Sequence, residues 1–478
     1  MKRIPSAVLM LTLLPAPAPA PAFAQGAALQ QPGASDPAQL VPDTRDLSAA
    51  LEEIRASLDV PSLAAAAYRN GKLVGAGAAG TYSTKHPTPV GPTSRYHIGS
   101  CSKAMTAVLL GIVIEETDGL DWGTTLTDAV PDDAEFINAA YSQATIRDLL
   151  GHRSGLIESR DPSLAQLGWT ITRNFADATL PDQRRELLRT ALASDPAAEP
   201  STEFGYSNFA YIIAAAIIEA HVGSSYEELV AERIFEPLGM RTAGFGPPGE
   251  PNSVTEPLGH SKQTDWTPID PGTPGVVADN PPVFNSAGRV HASVVDWGRF
   301  VDDFQQGLNG KGVLLRPETY RIIATDPESD GYALGWSLNQ QPWAGESPAL
   351  THAGSNTMWF AVAWIAPDKD LSFVAATNAA TPEARRSTNE AILTMIDRFA
   401  TQAPPIGNQN PRGPTNDYAS TGWLSLRIAA SAPFMERASS AELSDRSTAA
   451  FLIPPSAITS STFTVTRFDT PRSCIVMP

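Results

Sequence analysis

The chain has 478 residues, 42% of them hydrophobic and 18% charged, enough apolar material to bury one large core or two ordinary ones. Its formal net charge of −17 argues against a nucleic-acid partner, because phosphate binding needs a basic face. It has only two cysteines, Cys101 and Cys474, too few for a disulfide scaffold.

In chain order, Lys2 and Arg3 precede an apolar run from Ala7 to Leu14, and Ala22-Phe23-Ala24 precede Gln25. A basic start, a short apolar core and small residues at the cleavage positions predict a signal peptide over 1–24. Export to a periplasm or the medium is therefore expected, with no stable membrane span after cleavage. Residues 25–44 are rich in Ala, Gln and Pro and read as a linker. Leu47, Leu51, Ile54 and Leu58 predict a helix. Strands are expected near 64–69 and 72–78, joined at Asn70-Gly71, a strong hairpin signal. From Ser100 to about Thr117 a helix is expected that is apolar nearly all round, hence central and buried. Residues from about 120 to 325 read as helix and loop, with helices near 146–150, 183–194, 208–221 and 226–234. Strands return near 332–338, 349–352, 358–366 and 371–377, and a last helix near 382–399. Strands at both ends around an α-rich insert predict an α/β fold of the α+β type: one antiparallel sheet built from both termini, flanked by helices. Residues 401–478 contain no Lys, are rich in Ser, Thr, Pro and Ala, and read as a mostly disordered tail outside a catalytic domain spanning 45–400.

Three constellations carry chemistry. Ser100 and Lys103 lie three apart, so a helix puts them on one face, about 5–6 Å between Cβ atoms. Nucleophilic catalysis needs a hydroxyl within reach of a base, and burial can lower a lysine's pKa enough to serve. Free N–H groups and the dipole at that helix start would favour a developing oxyanion. In the second, Tyr206-Ser207-Asn208, a Tyr beside a Lys can relay a proton and an Asn carboxamide can orient both the Lys and a substrate amide. The third is His352-Ala353-Gly354-Ser355-Asn356 at a strand end, where Gly lets a substrate backbone come close. Each pattern alone is also what a helix cap, a core Tyr or a strand-end turn would show; their order and spacing carry the reading.

Together they resemble the penicillin-binding, serine β-lactamase-like superfamily: class C β-lactamases, D-alanyl-D-alanine carboxypeptidases and related esterases, with their Ser-x-x-Lys, Tyr-x-Asn and Lys/His-x-Gly motifs. Segments 96–100 (YHIGS), 146–156 (IRDLLGHRSGL) and 234–240 (IFEPLGM) also match, so the resemblance covers about 45–400. It implies that Ser100 is acylated, that Lys103 or Tyr206 takes its proton, that Asn208 positions Lys103 and substrate, and that His352 and Gly354 line the site. The N–H groups of Ser100 and Ser355 would form the oxyanion hole. It implies an acyl-enzyme hydrolysed by water, with no cofactor or metal and a small-molecule ester, peptide or β-lactam as substrate; a monomer is the default expectation.

His352 stands where β-lactamases usually carry Lys, which would face a substrate carboxylate with a fixed charge. Esterase or carboxypeptidase-like activity is therefore expected ahead of β-lactamase activity. Arg153 replaces a common Thr. His152 reads as structural, Cys101 as a small buried hydrophobe turned from the Ser100–Lys103 face, and Tyr96, Phe204 and Trp359 as core or pocket wall. Rival readings fare worse: there is no Gly-x-Ser-x-Gly elbow for an α/β-hydrolase. None of the seven histidines forms a His-x-His or His-x-x-x-His pair for a metallohydrolase. A non-catalytic penicillin-binding scaffold would not need Ser100, Lys103, Tyr206 and Asn208 together.

Overall fold

The structure, a computed structural model, describes residues 44–401. The expected signal peptide, all of the linker but Thr44, and the tail beyond Thr401 lie outside the described residues, as does Cys474.

One eight-stranded sheet organises the chain. Its order runs Arg45–Asp46, Lys72–Ser83, Ser62–Arg69, Leu371–Thr377, Phe360–Ala366, Ala349–Ser355, Ser337–Asn339, with His86–Pro89 paired to Lys72–Ser83. All pairs are antiparallel except the two-residue first strand. N-terminal and C-terminal strands meet at the register Leu63↔Thr377 to Arg69↔Leu371. The hairpin that joins Ser62–Arg69 to Lys72–Ser83 turns at Asn70 (φ 52°) and Gly71 (φ 77°), both in the left-handed region that a two-residue turn requires.

Both faces of the sheet are covered, as the period of two along its strands dictates. Ala64, Ala66, Ala361, Ala363, Val374 and Ala376 face a large core shared with the helices Ser102–Glu116, Asn208–Val222 and Val294–Leu308. Leu63, Ala65, Ala67, Val362, Phe373 and Ala375 face the helices Ser48–Ser57 and Pro382–Ile396. The run Ala64–Ala67 is small on both sides and lets helices approach closely.

The Asn208–Val222 helix explains itself from sequence. Ser207 caps its start by accepting from Ala210 N–H at 3.3 Å, and Gly223 ends it at φ 78°. Between these ends eleven residues, Phe209 to Glu219, are buried. Each large aliphatic among them adds about 1.5–3 kcal/mol on burial.

Several expectations are corrected. The region expected to be helix and loop also holds the strands Gly244–Phe245 and Val290–Ser293, which form a three-stranded sheet with Arg95–His97 from before it, and a hairpin of Gly259–Lys262 with Trp266–Ile269. These strands are two to four residues long, too short to show a period. The helix Val294–Leu308 was not expected because Asp296, Asp302 and Asp303 interrupt its apolar stripe; Asp296 accepts from Thr242 and Asp303 from Tyr320. Of the strand expected near 332–338, only Ser337–Asn339 forms, because Gly335 turns at φ 83° against the Ala104 backbone. Helix Tyr226–Val230 passes into a wide turn at Ala231–Phe235, and the last helix ends at Ile396 with a similar turn over Asp397–Thr401. Among the described residues no single helix is long and apolar enough to cross a membrane.

Candidate active site

Ser100 lies one turn before the helix that was expected to begin with it. Gly99–Cys101 form a 3-10 turn, and the α-helix starts at Ser102. The turn is held from several sides. Ile98 N–H donates to Val290 O at 2.9 Å, Ser102 Oγ to Gly99 O at 2.7 Å, and Val290 N–H to Ser102 Oγ at 3.1 Å. Gly99 has φ 54°, and a Cβ there would sit 2.2 Å from Ser355 N. A Cβ on Gly354 would sit 2.1 Å from Ile98 O and 2.6 Å from Ser100 N. Two glycines therefore let the turn press directly on the strand Ala349–Ser355, bringing the amides of Ser100 and Ser355 side by side.

Behind Ser100 is a polar wall carried by helices. Lys103 is fully buried. Its Nζ donates to Asn208 Oδ1 at 2.7 Å and to Ala287 O at 2.6 Å, and lies 3.2 Å from Ser100 Oγ, within reach of the serine proton. The rings of Tyr206 and Tyr211 lie 4.9 and 5.6 Å from that nitrogen. Asn208 is held in turn by Glu158. Its Nδ2 donates to Glu158 Oε2 at 3.2 Å, and the N–H groups of Asn208 and Phe209 donate to Oε1. Glu158 thus caps the Asn208–Val222 helix and fixes the carboxamide so that Oδ1 faces Lys103. Burial pushes the Glu158 carboxyl up, against the pull of Phe209 N–H, Lys103 and Asn208.

The opposite wall is the strand. In the sheet order Ala349–Ser355 is second from the edge, but its outer neighbour pairs only with Ala349, Leu350 and Thr351. On that side no strand pairing covers residues 352–355. His352 is buried there; Nδ1–H donates to Ala353 O at 2.7 Å, and Nε2 accepts from Tyr332 Oη at 3.1 Å. Burial, then the charge of Lys103, lowers its pKa to about 3. It is a neutral imidazole with both nitrogens engaged.

Sequence-predicted residues Ser100, Lys103, Tyr206, Asn208, His352, Gly354 and Ser355 are thus gathered at one place. Tyr206 closes it with His152, whose ring lies 4.5 Å away and also contacts Tyr211 and Tyr332. His152 adopts φ 59°; its carbonyl accepts from Gly205 and its Nδ1 from Ser207, tying two segments of the wall together. Burial holds its pKa well below the usual histidine value. Arg153 donates to Ser201 O at 2.6 Å and pairs with Asp330, bracing the loops outside. Phe204 contacts His152 and Tyr332. Tyr96 and Trp359 are core, stacked edge to face at 5.9 Å. Cys101 is buried, with its thiol 3.3 Å from His352 O. Sequence reasoning missed Glu158 and the Ala287 carbonyl. Glu158 stands two residues after the last residue of the matched segment 146–156, and an acidic residue there is a findable signal; a backbone carbonyl is not. Among the described residues no cluster of His, Cys, Asp and Glu forms a metal site.

A serine hydroxyl bonded to a buried lysine, a tyrosine ring beside it and two adjoining amides on a mixed α/β scaffold define the serine acyl-transfer class of enzyme. The comparisons give the family. The family model described as Beta-lactamase matches residues 47–394, so the chain belongs to the Beta-lactamase family. Among curated relatives, a D-aminopeptidase of Brucella ovis is 27% identical over 398 residues, covering 80% of this chain and 66% of the relative, and one of Brucella suis biovar 1 is 28% identical at the same coverage. The chain therefore spans just under two thirds of the length of those relatives. Two solved structures share the fold: the octameric penicillin-binding protein homologue from Pyrococcus abyssi and a D-amino acid amidase from Ochrobactrum anthropi SV3. The first is 20% identical with TM-score 0.57, covering 73% of this chain and 76% of that one; the second is 19% identical with TM-score 0.55, covering 73% and 99%.

Proposed function

We propose that this enzyme hydrolyses amide or ester bonds through an acyl-enzyme on Ser100, with substrates that carry no carboxylate beside the scissile carbonyl, and that amides or amino-terminal peptides of D-residues are the natural type. The observation that carries the substrate class is His352. A carboxypeptidase substrate or a β-lactam presents a carboxylate near this strand, and the neutral, doubly bonded imidazole offers it no charge. Similarity to D-aminopeptidases supports the D-residue part.

In the first step Ser100 Oγ attacks the carbonyl carbon, and its proton passes to the Lys103–Tyr206 pair in the state that can accept it, one proton short of an ammonium beside a phenol: a neutral Lys103 amine or a Tyr206 phenolate. The oxyanion is held by the N–H groups of Ser100 and Ser355, the carbon–nitrogen or carbon–oxygen bond breaks, and the pair returns the proton to the leaving group. Water then attacks the acyl carbon, the same pair removes its proton and passes it to Ser100 Oγ as the acyl–oxygen bond breaks, and the acid product leaves. Asn208 keeps Lys103 in register and offers its carboxamide to the substrate. Residues 1–24 support export, which sequencing the amino terminus of the mature protein would test, with Gln25 expected first.

The test of substrate class is a rate comparison of wild type and Ser100→Ala on a D-alanine anilide, p-nitrophenyl butyrate, nitrocefin and a D-Ala-D-Ala peptide. The anilide and the ester should be turned over fastest, and Ser100→Ala should be inactive on all four. Nitrocefin or the D-Ala-D-Ala peptide leading the series would overturn the assignment.

A further inference from the structure

Asp279 touches none of the residues that the acyl-transfer chemistry uses, yet it reaches both halves of the oxyanion hole. On one side its Oδ2 lies 3.0 Å from His97 Nε2. The other ring nitrogen of His97, Nδ1, accepts the N–H of Gly99 at 3.2 Å. A nitrogen that accepts carries no hydrogen, so in this arrangement the hydrogen of His97 sits on Nε2 and is donated to Asp279. On the other side Asp279 Oδ1 accepts from Asn356 Nδ2 at 3.0 Å. Gly99 immediately precedes Ser100, and Asn356 immediately follows Ser355. Each amide of the hole is thus one residue from a group that hangs on one carboxylate.

This linkage matters because of how the two segments touch. No side chain stands between them: a Cβ on Gly99 would lie 2.2 Å from Ser355 N, and one on Gly354 would lie 2.6 Å from Ser100 N. The Cys101 thiol, 3.3 Å from His352 O, joins the turn to the strand only as a weak donor, and glycines supply no interlocking shape. Something must fix the separation and tilt of the two N–H vectors, because oxyanion donors act at about 2.7–3.1 Å and lose their effect when displaced. The Asp279 side chain is only 3% exposed, and Arg289 Nε donates to its Oδ2 at 3.0 Å. Burial would push its carboxyl up, but His97, Arg289 and Asn356 outweigh that and leave it below the ordinary value. It is therefore an ionised, fully engaged anchor, and its bonds are of the stronger, charge-assisted kind.

We infer that Asp279 is a positioning residue that sets the geometry of the oxyanion hole, through His97 to the Ser100 amide and through Asn356 to the Ser355 amide. The inference rests on Ser100 being the acylated residue, as proposed above.

The experiment compares each oxygen ester with its thionoester, in which sulfur replaces the carbonyl oxygen and accepts poorly from N–H. A working oxyanion hole makes the enzyme prefer the oxygen ester; a disordered hole loses that preference. In the full-length protein, Asp279→Asn should lower kcat/KM for the ester about 10- to 100-fold, mostly in kcat. The ester-to-thionoester ratio should fall by at least half of that factor on a logarithmic scale. Asn356→Ala, which cuts only the strand arm and leaves the buried charges paired, should lower the ratio in the same direction by less, and it carries the test if Asp279→Asn does not fold. A loss of active enzyme by misfolding would lower both rates equally and leave the ratio unchanged. An unchanged ratio in Asp279→Asn and Asn356→Ala, with or without a fall in activity, overturns the inference. Full activity of Ser100→Ala would instead overturn the acyl-serine proposal, so the two failures are separable.

Discussion

Two walls face each other across Ser100, and they are built on different principles. The helical wall is polar and closely bonded: Lys103 Nζ reaches Ser100, Asn208 and Ala287, and Glu158 holds Asn208 from behind. The strand wall is neutral and depends on the absence of side chains: Gly354 lets the Gly99–Cys101 turn lie on bare backbone, and His352 keeps its nitrogens to itself. On the proposed mechanism the first wall handles protons and the second decides which carbonyl compounds are held, so a change in the second should alter preference before it alters chemistry.

Removing Ser100 should break the comparison altogether. Ser100→Ala should reduce turnover of any accepted substrate by at least about 10³-fold while leaving thermal unfolding near that of wild type, since only one hydroxyl is lost. Gly354→Ala comes next. Its methyl would sit 2.1 Å from Ile98 O, so the walls must part, and kcat should fall by about 10²-fold or more, the cost of losing an oxyanion donor. The far smaller effect expected if the turn simply yields would show as near-normal kcat.

Glu158→Gln tests the helical wall at one remove. Gln can still accept at Oε1 but presents an NH₂ where Oε2 accepted from Asn208, so the carboxamide should flip or shift. A fall in kcat of about 10-fold is expected, with KM for a simple ester nearly unchanged. A variant that instead raised KM alone would place Glu158 in substrate binding.

The smallest catalytic effect is expected from His352→Asn, whose main signature is in acid stability. His352 has a pKa of about 3 in the folded enzyme and an ordinary value near 6.5 when unfolded. Between these limits the unfolded chain binds the extra proton, so stability rises with pH and is lost as pH falls from about 6.5 towards 3. The His352→Asn variant should lose less stability than wild type over that window, by a few kcal/mol at most. Buried His260 and His291 titrate alike in both proteins and cancel in the difference, whereas His152, which His352 also pushes down, shifts it in the same direction. Parallel acid-unfolding curves for the two proteins would contradict the buried, neutral assignment.

Much of this was legible from sequence because it is encoded locally. Asn70-Gly71 fixes a hairpin through the backbone freedom of two residues, and Ser207 and Gly223 bracket a helix whose interior is apolar. The Ser-x-x-Lys, Tyr-x-Asn and His-x-Gly patterns found the residues that meet at the site. What stayed hidden depends on distant partners. The strand Val290–Ser293 exists because Arg95–His97 pairs with it, and four residues carry no period. The helix Val294–Leu308 buries aspartates whose partners lie on other segments. Glu158 and Asp279 act through Asn208, His97 and Asn356, and spacing along the chain says nothing of those meetings. The neutrality of His352 likewise follows from its burial in the folded chain and from the charge of Lys103, far away in sequence.

The most direct measurement of the central claim is covalent labelling with a fluorophosphonate, which reacts irreversibly with an activated serine. Digestion and mass spectrometry should place one phosphonyl group on the peptide containing Ser100, with labelling and loss of activity proceeding together and Ser100→Ala remaining unlabelled. Inactivation accompanied by an adduct on any other residue, with Ser100 unmodified, would contradict the account.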